Sequence, residues 1–118
     1  MALSYAAGDD LVFQMESGFG LVRVLGSEGE GHDAVWHVLV YHDFYPDVEA
    51  AEEALASGRA LDVREPHLAL TEHAFEKTPA ARLANRPVSD RELEALGRWR
   101  REGGRAHDRP LLLMLGMR

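Results

Sequence analysis

The stretch whose reading decides the fold is GDDLVFQMESGFGLVRVLG, residues 8–26. Leu11, Phe13 and Met15 alternate with Val12, Gln14 and Glu16, the period-2 pattern of a strand. Ser17-Gly18 supplies a turn whose glycine tolerates positive φ, and a second run follows from Phe19 to Gly26. A two-residue Ser17-Gly18 loop sets Glu16 opposite Phe19 and Phe13 opposite Val22. One face of the hairpin then reads Leu11, Phe13, Met15, Gly20, Val22 and Val24, apolar or glycine throughout, and is the expected core face. The other face carries Val12, Phe19, Leu21 and Leu25 among Gln14, Glu16 and Arg23. An outer sheet face is ordinarily polar. This one is therefore expected to be covered, by a helix or loop of the same chain or by a second subunit. Phe19, Leu21 and Leu25 are accordingly the candidate protein interface.

Downstream of the hairpin, residues 26–33 form an acidic, glycine-rich loop by composition. Residues 34–42 read as a central strand, with Trp36, Val38 and Val40 on one face and Val35, His37, Leu39 and Tyr41 on the other. Asp47 is placed to cap a helix over 47–57 whose stripe is Val48, Ala51, Ala54 and Leu55, with Gly58 at its C-terminal end. Residues 61–63 and 66–75 read as extended, and 80–87 as a further strand or loop. Ser89-Asp-Arg-Glu92 has the form of a capping box opening a second helix over 89–102, with Leu93, Leu96 and Trp99 as its apolar stripe. Residues 111–115, Leu-Leu-Leu-Met-Leu, fit a strand, a helical turn or a docking tail equally. The expected fold is α+β: a strongly bent antiparallel sheet or partly open small barrel of about five strands, with helices near 47–57 and 89–102.

The chain of 118 residues suits a single domain, 1–118. It has no cysteine, which excludes a disulfide scaffold, a thiolate metal site and a cysteine nucleophile. Its longest apolar run is the five residues 111–115, far short of a membrane span. The opening residues lack the pattern of a signal peptide, so a cytoplasmic protein with no membrane association is expected. The net charge of −7 is unevenly spread. Residues 1–76 carry 15 acids and 3 bases, a balance of −12; residues 77–118 carry 5 acids and 10 bases, a balance of +5. Such halves attract each other within one domain or attract a second copy, while the net charge repels nucleic acid at long range.

The candidate chemistry is sparse. His32, His37 and His42 recur every five residues, which matches neither a strand face nor a helix face. No histidine pair has metal-ligand spacing, and no metal or other cofactor is expected. His42-Asp43 at the end of a strand is the nearest approach to an acid–base pair, so His37, His42 and Asp43 are the nominees for catalysis should the protein be an enzyme. No nucleophile-elbow, phosphate-loop or zinc-protease motif accompanies them. In the second helix Arg91, Arg98 and Arg101 lie on the side away from Leu93, Leu96 and Trp99, a candidate anion-binding stripe.

The hairpin also resembles the opening of a family of bacterial immunity proteins from polymorphic-toxin systems, immunity protein twenty-six. The resemblance rests on Gly8, Asp9, Gly18, Gly20, Arg23, Val24 and Leu25, within residues 8–26. The proline common in that family's first strand is missing. The resemblance implies an SH3-like start and a role in protein binding. The leading expectation is a non-enzymatic protein-binding module acting as a homodimer. The alternatives are a nucleic-acid accessory protein using the basic helix, and a small-ligand-binding protein or hydrolase built around residues 36–45.

Overall fold

The computed structural model describes residues 4–116. Among these, five antiparallel strands form one sheet: β1 (Asp9–Met15), β2 (Gly18–Glu28), β3 (Val35–Tyr45), β4 (Val63–Thr71) and β5 (Ala80–Asn85). Their order across the sheet is β4-β3-β2-β1-β5, so β4 and β5 are edges and the sheet stays open. Register shifts interrupt every ladder except β1–β2. Irregularities of this kind bend strands and increase twist. The α+β class and the bent five-stranded sheet are therefore as expected, and the sheet is open.

In the β1–β2 hairpin Met15 pairs with Gly18 and Leu11 with Val22. The tight connection is thus Glu16-Ser17, where the sequence suggests Ser17-Gly18. That moves the pairing by two residues, an even step, so every side chain keeps its face. Gly18 has φ +150°, and a Cβ there would meet the Tyr45 carbonyl oxygen at 2.7 Å. Gly20 leaves room for the Phe13 ring; a Cβ would stand 2.5 Å from its Cζ. Gly20→Val is expected to cost about 1–3 kcal/mol in urea unfolding, the range for overpacking a filled core. An unchanged midpoint would show that Phe13 can swing away freely.

Four α-helices among the described residues pack around the sheet: α1 (Val48–Ala56), α2 (Glu72–Glu76), α3 (Glu94–Arg101) and α4 (Leu111–Met114). On one face Leu11, Phe13, Val22, Val24, Val38 and Val40 pack against Phe75 of α2 and Leu111 of α4. Tyr5, Trp36 and Phe75 form a ring cluster with centroids 5.6–6.2 Å apart. On the other face Val12, Leu21, Leu25, Leu39 and Tyr41 pack against Ala51 of α1 and Leu96 of α3. A sheet buried on both sides explains why β2 and β3 read as nearly continuous apolar runs. Among the described residues no helix is long and apolar enough to cross a membrane.

Local signals account for most element ends. The Asp47 carboxylate accepts from the Ala50 N–H at 2.8 Å and starts α1. Residues 72–75, expected to be extended, belong to helix α2 because the Thr71 hydroxyl caps the Ala74 N–H at 3.1 Å. The Ser89–Glu92 box forms in both directions, yet it closes a turn, and α3 begins only at Glu94. Of residues 80–87, the part 80–85 is strand, and residues 111–114 are helical.

Candidate functional site

Two carboxylates open β1 in the interior: Asp9 is 1% exposed and Asp10 0%. Arg23 lies opposite Asp10 in the β ladder and is itself 1% exposed. Its guanidinium donates to Glu92 at 2.6 Å, to Asp10 at 3.3 Å and to the backbone carbonyls of Gly8, Arg86 and Pro87 at 2.9–3.0 Å. Arg86 donates to both oxygens of Asp10, at 2.7 and 3.1 Å, and to the Tyr41 hydroxyl at 3.2 Å. Two arginines and two carboxylates thus close a neutral network that pins the segment before α3 to the hairpin. Its bonds to Asp10 raise the Arg86 pKa above the usual arginine value. Burial pushes the Glu92 carboxyl up, but hydrogen bonds from Arg23 and Ser89 outweigh it and hold it below the usual range. Asp9 behaves alike: burial raises it, and bonds from Asn85, Ala6 and Arg82 bring it down.

The uneven charge of the sequence is partly consumed inside the chain. Arg82 pairs with Asp9, Arg86 with Asp10 and Arg100 with Glu28, each joining the basic third to the acidic part.

Beside this network a cleft of about 660 Å³ opens over the second sheet face. Leu39 and Tyr41 of β3, with Arg23 of β2, contribute from the sheet. Leu61, just before β4, and Val63 and Pro66 of β4 contribute as well. Arg98 of α3 and Arg91 of the turn before it line the cleft from the helix side, and Arg59, following α1, lines it as well. With Arg86, five arginines border the cleft against two acids, Glu92 and Glu94. Arg23 and Arg86 are spent on the buried network. Arg59, Arg91 and Arg98 are exposed and make no ion pair among the described residues. Concave walls of one charge sign focus potential and raise the local concentration of the opposite ion.

Further along α3, Trp99 covers a histidine pair. His37 Nδ1 of β3 lies 2.9 Å from His67 Nε2 of β4, with the rings stacked and Trp99 edge-on to both. His37 is 0% exposed, and its Nε2 stands 3.3 Å from Glu28 in a geometry too poor for a hydrogen bond. A carboxylate can only accept, so it favours a proton on His37 Nε2; Nδ1 then accepts from His67 Nε2–H. Burial lowers both histidines, His67 to about 4, with further lowering from His37, Arg100 and His107. Glu28 opposes this at His37. Among the described residues no group of three His, Asp or Glu side chains is placed to hold a metal ion.

The residues singled out in the sequence therefore scatter. Leu21 and Leu25 are 0% and 3% exposed beneath the chain's own helices, which corrects their assignment to a partner surface; Phe19 is half-buried against the same cluster. His42 and Asp43 touch at 3.4 Å on the surface, while His37 is sealed under Trp99, so the three nominees for catalysis do not share a site. Arg91 and Arg98 meet in the cleft, whereas Arg101 is exposed outside it. Arg59, Arg86 and His67 carry no local signal that would nominate them. Their partners are distant in sequence, and only the tertiary arrangement, the β3–β4 and β1–β5 pairings above all, brings them together.

Together the fold and cleft define an α+β open-sheet protein with a basic, partly apolar cleft on one covered face. No protein-family model, curated protein or solved structure matches the chain.

Proposed function

We propose that the protein is a binding module whose ligand is a small anion held in the arginine-walled cleft. The observation that carries this is the convergence of Arg59, Arg91 and Arg98, exposed and without ion pairs among the described residues, on one concavity of a chain with net charge −7. Its volume lies within the roughly 300–1,000 Å³ typical of small-molecule sites. Guanidinium groups suit carboxylate and phosphate, to which they can donate two parallel bonds. Of the other polar groups there, Tyr41 and Glu92 already serve Arg86 and Arg23, and Glu94 is a lone exposed carboxylate, which favours binding over chemistry. A nucleic-acid strand has less support: Arg101 lies outside the cleft, and Arg82, Arg86 and Arg100 are tied to Asp9, Asp10 and Glu28.

Calorimetric titration with phenyl phosphate at low salt tests this. Binding is expected, and Arg91→Ala or Arg98→Ala is expected to weaken it about tenfold each, as for loss of a charge-assisted hydrogen bond. Arg105→Ala, outside the cleft, serves as the control. No binding by the unaltered protein at millimolar ligand, or equal losses at Arg105, would overturn the proposal.

A further inference from the structure

The cleft has two chemistries, charged and apolar. Arg91 and Arg98 stand on the α3 side, while Arg59 and Leu61, which precede β4, and Val63 and Pro66, in its first half, supply a third guanidinium and the apolar wall. Val63 is 44% exposed, one of few large apolar side chains left open to solvent among the described residues. Leu39 and Tyr41 continue the apolar surface into the sheet. A bare inorganic anion would satisfy the arginines and leave this surface wet. A neutral apolar molecule would cover the surface and leave three guanidiniums without a counter-ion.

The geometry points to an amphiphilic anion as the ligand: one phosphate or carboxylate head toward Arg59, Arg91 and Arg98, on an apolar body laid against Leu61, Val63 and Pro66. This rests on the anion-binding proposal above and narrows it to a ligand class. Both ends must be engaged for tight binding. Removing an apolar group from water contributes in proportion to the area covered, so affinity should climb with the length of the apolar body until the apolar wall is covered.

The test is a homologous series: inorganic phosphate, then butyl, hexyl and octyl phosphate, with octanoate and octanol as arms that vary the head. Affinity is expected to rise about two- to fourfold per methylene, the upper figure being the conversion of ~0.8 kcal/mol per fully buried CH₂. Octanol is expected not to bind measurably. Whichever of octyl phosphate and octanoate binds more tightly identifies the head. Val63→Ser, at an exposed position the fold can spare, should flatten the rise per methylene. Arg98→Glu should weaken every charged member together. A series with no dependence on chain length, while phosphate still binds and Arg98→Glu still weakens it, overturns the amphiphile and leaves the anion site standing. Absence of binding by every member, inorganic phosphate included, overturns both. Recruitment to vesicles of anionic lipid without binding of monomeric octyl phosphate or octanoate would also overturn the assignment, because the occupant would then be a membrane surface.

Discussion

Arg23→Met is expected to cost the fold about 3–5 kcal/mol, the range for removing one partner of a buried ion pair. The loss has two parts. Asp10, 0% exposed, keeps Arg86 but loses its second cation, and Glu92 loses the group that holds its carboxylate inside. Three backbone carbonyls, at Gly8, Arg86 and Pro87, lose their side-chain donor as well. Set against a domain stability of roughly 5–15 kcal/mol, this is a large fraction. Arg23→Lys should rescue little, since an ammonium has three donors and no planar fork to serve five acceptor groups. Combining Arg23→Met with Glu92→Gln should recover part of the loss, because it removes one of the stranded charges. Urea unfolding of the set decides the matter. A loss below about 1 kcal/mol for Arg23→Met would mean that the network adds specificity and little stability.

The second large effect is acid sensitivity centred on the histidine pair. Both histidines have lower pKa values folded than unfolded, His67 at about 4 against 6.5. The unfolded chain therefore binds more protons than the folded one as pH falls from about 6.5 to 4. Stability contributed by their neutral forms is fully present above 6.5 and is lost through that window. Each tenfold change in proton affinity is worth ~1.4 kcal/mol. Discounted for solvent screening, because His67 is only partly buried, its contribution comes to about 2 kcal/mol. The first proton must enter beneath Trp99 and near Arg100 and His107. A second would put protons on both facing nitrogens, 2.9 Å apart, and break their bond. Glu28 favours charge on His37 and only partly offsets the cost. His67→Gln keeps a donor toward His37 and cannot titrate, so its stability should change much less between pH 6.5 and 4. Below about pH 4 both proteins should lose stability in parallel, as Asp9, Glu28 and Glu92, all lowered by their partners, take up protons. Parallel curves throughout would show that the histidine pair does not govern the window.

Much of the fold is legible in the sequence because its signals are local. Strand alternation identifies both faces of the hairpin even with the turn misplaced, since a two-residue error in register preserves parity. The Asp47 cap, the Ser89–Glu92 box and the apolar stripe of α3 are equally readable. The helical turn at 72–76 escapes because Thr71, which caps it, also continues the alternation of the preceding strand. That the second hairpin face is covered follows from its apolar residues, but whether helices or another subunit cover it does not. Nothing in the spacing of Leu21 and Leu25 tells which surface arrives.

The candidate site is far less legible. Arg91 and Arg98 can be placed on one helix side from spacing alone, but Arg59 and Val63 come to the same cleft from a different segment of the chain. His37 and His67 do not read as a pair because their separation of 30 residues has no period; the β3–β4 register makes them neighbours. Patterning by itself determined what must be buried and where the hairpin, the central strand and the two longer helices lie, because hydrophobic periodicity and caps act within a few residues. Which charges meet, which arginines stay free and where a cavity is left were decided only by strand order and register, since those contacts join residues that chain proximity never brings together.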